Sequence, residues 1–320
     1  MANSNDARFA FHGVPRKAGK PFDTKKILGR NVDWIRKAVE DTINVAKDVS
    51  GRPKKHRLEC PICGSSDSSQ FAVIFGYEYL ECGMCRLLWI SNAPTEEVVN
   101  GLYSGSHEDV NTWHQKVYGV DKKDRELFER RVNQIYVPKF EFLNEYVPPP
   151  GLFFDVGCAT GEAIIAAQKC GWNARGIEAD PHLAKFGSEM GCEIVNAYFD
   201  ETNATKYLRD VDIVTCLNTA EHFYDPLKWF KLVGANMKMG AHLVVEVPRH
   251  PSLSTFVNKV FPALVYRGIC PPDHLMVFSE RSTEICIEAA GLRPIAVWTF
   301  GEDAQEMLNC PWVNAGFQDD

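Results

Sequence analysis

The chain has 320 residues, of which 45% are hydrophobic. That gives room for one large domain and a small one, with a composition ordinary for a globular protein. A net charge of −7 argues against a nucleic-acid binder, yet residues 1–57 hold 14 Lys or Arg against 6 Asp or Glu.

At the extreme N-terminus Arg16-Lys17, Lys20 and Lys25-Lys26 stand among Gly and Pro, and a mobile, solvated tail is expected there. Asn31 then caps a predicted helix to about Val49, with Val32, Ile35, Val39, Ile43 and Ala46 on one face. Gly51 to Arg57 reads as a basic linker, so residues 1–57 form a basic extension with one helix.

Cys60-Pro61-Ile62-Cys63 and Cys82-Gly83-Met84-Cys85 are two CxxC pairs separated by 18 residues. Each pair can form a knuckle whose thiolates point at one metal, the spacing of a tetrahedral four-cysteine zinc site. Phe71–Phe75 and Glu78–Glu81 between them are predicted short strands, which makes residues 58–92 a zinc ribbon. Disulfides are the rival reading. With no N-terminal apolar signal segment and no membrane-length apolar run, the expected setting is a reducing cytosol without membrane insertion. Four protein ligands close a metal to water, so the zinc is expected to be structural. The other seven cysteines sit among apolar neighbours and are expected in the core.

Residues 93–147 are predicted helical. Pro94 precedes the acidic turn Glu96-Glu97, and Asp121–Tyr136 carries Leu127, Phe128, Val132 and Ile135 at helical spacing. His114, beside Trp113, reads as a surface or packing residue. Tyr146-Val147-Pro148-Pro149-Pro150-Gly151 breaks the chain before residues 148–320, where strands and helices alternate.

The first of those strands runs from Phe153 to Val156 and ends in the turn Asp155-Val156-Gly157-Cys158-Ala159-Thr160-Gly161, followed by a good helix former. Strand, glycine turn and helix open a nucleotide-binding βαβ unit, in which Gly157 and Gly161 let the backbone approach a ligand. A second strand, from Asn173, ends in Glu178, placed to accept hydrogen bonds from a ribose. The spacing is not GxGxxG, which favours a cofactor without a pyrophosphate. Further strands are predicted at Glu193–Val195, Asp212–Leu217, His242–Val247 and Arg293–Thr299, with helices at Pro226–Met237 and Thr283–Ala290. This alternation implies a parallel, doubly wound sheet with ligands at the carboxyl ends of its strands.

The Asp155–Gly161 loop resembles the first motif of class I S-adenosylmethionine-dependent methyltransferases, with Ala159 in place of the middle glycine. Asp212–Asn218 resembles the fourth strand of that family, Glu221-His222 the pair just beyond it, and Leu232–Val247 the helix, glycine turn and fifth strand. The resemblance covers roughly residues 135–305. It implies an α/β, Rossmann-like methyltransferase sheet preceded by the zinc ribbon, with residues 93–147 as a lid over the acceptor. The family's sheet usually closes with an antiparallel strand. Only about 20 residues follow Phe300, so that strand is expected to be short, displaced or absent, as in a chain cut short at its C-terminus.

The same resemblance assigns S-adenosylmethionine to Asp155, Gly157, Gly161, Glu178, Ala197, Tyr198 and Asn218. Methyl transfer is an in-line displacement, so a hydroxyl acceptor also needs its proton removed, work suited to histidine. Glu221 and His222 after the fourth strand, and His274 after the fifth, are the candidates. Cys270–Ser279 is similar to a stretch of the zinc-containing sugar C- and O-methyltransferases, which combine a four-cysteine module and a Rossmann domain in this order. In their carbon-methylating members tyrosines share the proton handling. Asn218 and Thr219 stand where the resemblance calls for a tyrosine, which counts against carbon methylation. The expected acceptor is a small molecule, a sugar or nucleotide-linked sugar. RNA gripped by the ribbon and basic arm is a rival reading, and a non-catalytic zinc-ribbon scaffold is a third.

Overall fold

The computed structural model describes residues 11–19, 27–103, 125–264, 268–299 and 304–315. Lys20, Lys25, Lys26, Trp113, His114 and residues 104–124 of the expected lid lie outside the described residues. No helix among the described residues is long and apolar enough to cross a membrane.

The chain enters through a short strand β1 (Arg16–Ala18) and a helix Val32–Ser50, capped by the Asn31 side chain on the Trp34 amide at 2.9 Å. The expected linker at Gly51–Arg57 is in fact partly a strand. β2 (Lys54–His56) pairs antiparallel with β6 (Asn92–Pro94) and ties the two ends of the cysteine module together. Between them lie β3 (Ser68–Ile74), β4 (Tyr77–Cys82) and β5 (Leu88–Ile90), an antiparallel meander whose knuckles carry the four cysteines.

A helix Glu96–Tyr103 follows. The next described helix spans Arg125–Arg131, widens into a π turn at Val132–Tyr136 and continues as Val137–Asn144. The cause is local. Pro138 has no amide to continue the ladder, and the Val137 amide reaches back to the Val132 carbonyl instead.

The central sheet has five parallel strands in the order β11-β10-β7-β8-β9. These are β7 (Leu152–Val156), β8 (Asn173–Glu178), β9 (Ile194–Asn196), β10 (Ile213–Leu217) and β11 (His242–Glu246). Because strand side chains alternate, Phe154, Val156, Val214 and Cys216 enter one core with Tyr207, Trp229, Phe230 and the cysteine module. Phe153 and Ile213 enter the other, beneath Phe140, Ala163, Ala167 and Phe186. Both faces are covered, as a parallel sheet requires. The order reverses between β7 and β10, and there a crevice opens at the strands' carboxyl ends.

Two strands depart from the expected pattern. β12 (Met276–Val277) joins the cysteine module, pairing antiparallel with β5. The strand expected at Arg293–Thr299 is shortened to β13 (Val297–Thr299) and pairs with β1 rather than with the central sheet. Arg16 and Lys17 are therefore part of a strand, not a mobile tail. Arg16 forms two bonds to Glu280 at 2.8 and 2.9 Å, and Lys17 meets Glu145 at 2.6 Å. Among the described residues, no strand extends the central sheet beyond β11.

Candidate active site

A cavity of about 990 Å³ occupies the crevice, lined among others by Asp155, Gly157, Glu178, Asn218, His222 and His274. The loop after β7 turns because Gly157 and Gly161 adopt φ of +72° and +85°, a region that costs an L-residue with a Cβ roughly 1–2 kcal/mol. A Cβ on Gly157 would collide with Thr219, and one on Gly161 with the Cys192 sulfur. Gly161 thus serves the packing of the loop on the segment before β9, whereas Gly157 stands at the cavity wall.

Asp155 is 2% exposed and accepts the Thr215 hydroxyl at 2.6 Å. Burial raises its carboxyl to about 7, against the opposing effect of that hydrogen bond. Glu178 accepts the amides of Ala159 and Asp180, both at 2.8 Å, so the carboxylate at the end of β8 is fixed to the glycine loop of β7. Ala197 donates its amide to the Glu178 carbonyl at 3.0 Å, and the Tyr198 hydroxyl donates to Asn100 at 2.9 Å. Asn218 sits at φ +50°, a conformation asparagine tolerates. Its side-chain amide donates to Glu246 at 2.8 Å, and Lys139 holds the same carboxylate at 2.6 Å.

The 3₁₀ turn Ala220–His222 after β10 carries Glu221 and His222, and the loop before β12 carries Asp273 and His274. The folded chain brings them together. The two imidazoles lie 5.0 Å apart, centroid to centroid, and their Nε2 atoms are 3.9 and 4.0 Å from Glu221 Oε1. His222 Nδ1 donates to the Asp273 carbonyl at 2.8 Å, with Asp273 Oδ1 at 3.3 Å; His274 Nδ1 donates to the Gly268 carbonyl at 3.0 Å. Each ring therefore turns Nε2 toward Glu221. Burial raises the Glu221 carboxyl to about 7. Burial works against charge on His222 too, but the carboxylates of Asp273 and Glu221 outweigh it and carry the imidazole up to about 10.

Two members of this cluster had no role assigned from sequence. Asp273 orients His222 through Nδ1. Tyr103 ends the helix after β6, its hydroxyl 2.9 Å from His222 Nδ1 and bonded to Asp273. Adjacency to His274 was a signal for Asp273; nothing local marks Tyr103.

The four thiols of Cys60, Cys63, Cys82 and Cys85 form a second cluster, with all sulfurs within 4.8 Å of one another and Cys60–Cys85 and Cys63–Cys82 at 3.5 Å. A tetrahedron with Zn–S of about 2.3 Å has edges of about 3.8 Å, whereas a disulfide needs about 2.05 Å. The donor set fits a tetrahedral thiolate-bound metal. None of the other seven cysteines forms a disulfide, and Cys158, Cys192, Cys216, Cys270, Cys286 and Cys310 are buried.

The chain matches the family model described as a methyltransferase domain over residues 128–297, more than half its length. No curated protein matches it. Similar solved structures include the YcgJ protein from Bacillus subtilis, 16% identical, covering 48% of this chain and 67% of that one with a TM-score of 0.37. A SAM-dependent methyltransferase from Archaeoglobus fulgidus is 22% identical over 53% of this chain and 75% of its own, with a TM-score of 0.40. One from Thermotoga maritima is 16% identical over 54% and 80%, also with a TM-score of 0.40.

Proposed function

The chain belongs to the methyltransferase-domain family and is a methyltransferase, and from that premise we propose that it methylates a sugar or nucleotide-linked sugar. The donor in this reading is S-adenosylmethionine, held by Asp155, Gly157, Glu178, Ala197, Tyr198 and Asn218, with Gly161 shaping the loop. Two buried carboxylates on neighbouring strands suit a ligand that carries an ammonium, a sulfonium and ribose hydroxyls. When bound, that molecule supplies a methyl already activated on sulfur.

The chain's own work is then alignment, exclusion of water and movement of one proton. Asp273 holds the Nδ1 proton of His222, so a neutral His222 offers the Nε2 lone pair to the acceptor hydroxyl. Glu221, buried beside Nε2, stabilises the imidazolium that forms. His274 completes the wall and can donate to the acceptor or relay its proton. The four cysteines bind zinc as a closed structural site.

One observation carries the reading: the Glu221–His222–His274 cluster and the glycine loop line one cavity. The sugar class rests on the order of cysteine module and methyltransferase domain and on the Glu-His pair. RNA is less favoured, because Arg16 and Lys17 of the basic arm are engaged by Glu280 and Glu145. The test is transfer of labelled methyl from S-adenosylmethionine to a panel of nucleotide sugars, 4-keto nucleotide sugars and total RNA. Label in a sugar is expected, and its position separates oxygen from carbon. Label confined to RNA would overturn the acceptor class.

A further inference from the structure

The cysteine module and the histidine cluster are far apart in sequence but mechanically continuous. β5 begins three residues after Cys85, and it pairs with β12 through Trp89–Met276 and Leu88–Val277. Just beyond that pairing the Ile90 amide donates to the Leu275 carbonyl at 3.0 Å, while the Leu275 amide donates to the Glu221 carbonyl at 3.0 Å. Residue 275 thus joins the module on one side to the Glu-His turn on the other. The residue before it is His274, whose carbonyl accepts the Tyr79 hydroxyl from β4 at 2.6 Å. On the far side of β12, the Ser279 hydroxyl donates to the carbonyl of Cys85 itself. Tyr79, Leu88, Trp89, Ile90, Leu275, Met276 and Val277 are all at most 2% exposed, so no water competes for these bonds.

We propose that the four-cysteine module is the positioning frame of the acceptor site, with Tyr79 as the positioning residue that seats His274. The proposal rests on the reading of Glu221, His222 and His274 as the groups that handle the acceptor's proton. His274 is held at its carbonyl by Tyr79 and at Nδ1 by Gly268, which leaves Nε2 a single direction, toward Glu221. A metal held by Cys60, Cys63, Cys82 and Cys85 would close the knuckle from which β5 departs, and β5 sets the register of the strand that follows His274. A shift of about 1 Å in this frame is large on the scale that proton transfer and in-line alignment tolerate. Glu178 is held instead by the amides of Ala159 and Asp180, so the frame acts first on the acceptor side of the cavity.

The test uses the full-length protein with ¹³C-labelled histidine, zinc-loaded or stripped with a thiol-directed mercurial and chelator, and a zinc-loaded Tyr79→Phe variant. Imidazole resonances and amide hydrogen exchange are read in each, alongside affinity for S-adenosylhomocysteine. Stripping the metal is expected to shift the His274 and His222 resonances and to speed exchange at Leu275–Val277. Tyr79→Phe is expected to reproduce the His274 shift with the metal retained, and to raise local exchange about fivefold to tenfold, the loss of one buried hydrogen bond. Affinity for S-adenosylhomocysteine should stay within about twofold, since the cofactor-side residues keep their bonds. Unmoved histidine resonances in both preparations would overturn the frame. So would shifts accompanied by loss of S-adenosylhomocysteine binding, which mark general unfolding. None of these readouts needs an acceptor, so they fail or succeed separately from the labelled-methyl assay that tests the proton-handling reading.

Discussion

Glu221 is fully buried, and neither carboxylate oxygen has a hydrogen-bond partner among the described residues. A buried carboxylate in that state costs stability whenever it is ionised. Its folded pKa of about 7 lies above the ordinary value of 4.5. Stability from this group is therefore full below pH 4.5 and is lost as pH rises through 7. Glu221→Gln keeps the shape and removes the charge. The variant should melt higher than the parent at pH 8, with a smaller gain at pH 5, while turnover falls. Equal melting at both pH values would show that the carboxylate is compensated by a partner. His222 makes a complementary prediction. Held protonated by Asp273 and Glu221 up to about 10, it becomes a competent base only as pH rises, so kcat should climb from pH 7 toward 10. His222→Asn should lower turnover by roughly 10²- to 10⁴-fold, the usual worth of general acid–base catalysis, and flatten that rise. S-adenosylhomocysteine affinity, measured calorimetrically, should not move. A variant with near-parental turnover would remove His222 from the mechanism.

At the scale of elements, Gly234 shows how packing overrides propensity. It lies inside the helix Pro226–Asn236, where glycine costs about 1 kcal/mol against alanine. The reason is across the interface: a Cβ there would strike the Ala290 carbonyl at the end of the helix Glu280–Ala289. Gly234→Ala should therefore destabilise, by about 1–3 kcal/mol, despite its better helix propensity. Chemical denaturation checks this, and a stabilised variant would mean the two helices part easily. Gly234 also marks what could be read beforehand. The CxxC pairs, the Asp155–Gly161 turn and the β7–β11 alternation were legible because their chemistry is local: spacing, glycine conformation and strand period. Local signals placed most elements within a few residues. They could not show that Met276–Val277 would leave the methyltransferase sheet for the cysteine module, or that Arg16–Ala18 would pair with Val297–Thr299. Nor could they show that Tyr103 and Asp273 would close on His222. Those pairings join residues 51 to 281 positions apart in sequence, and segments this short carry no pattern that names a distant partner.

Across the whole molecule, one cavity gathers buried acids at both ends, Asp155 on the glycine-loop side and Glu221 on the histidine side, each raised chiefly by burial to about 7. Between their ordinary values and pH 7 the folded protein binds more protons at these groups than the unfolded chain does. Their contribution to stability therefore declines as pH rises from about 4 to 7. Glu81 works in the opposite sense. His250 first, and Arg86 with it, hold its carboxyl down to about 2, so its stabilising contribution is already complete at pH 5 and stays constant above. The ligand-free protein should accordingly lose melting temperature between pH 5 and pH 8 through the two cavity acids. A cationic ligand reverses the balance at Asp155, because it favours the ionised carboxylate and binds more tightly once the proton has left. Saturating S-adenosylmethionine should thus raise the melting temperature more at pH 8 than at pH 5, and Asp155→Asn should abolish the difference. An equal rise at both pH values in the parent protein would place the cation away from Asp155. A rise at neither would remove S-adenosylmethionine from this cavity altogether.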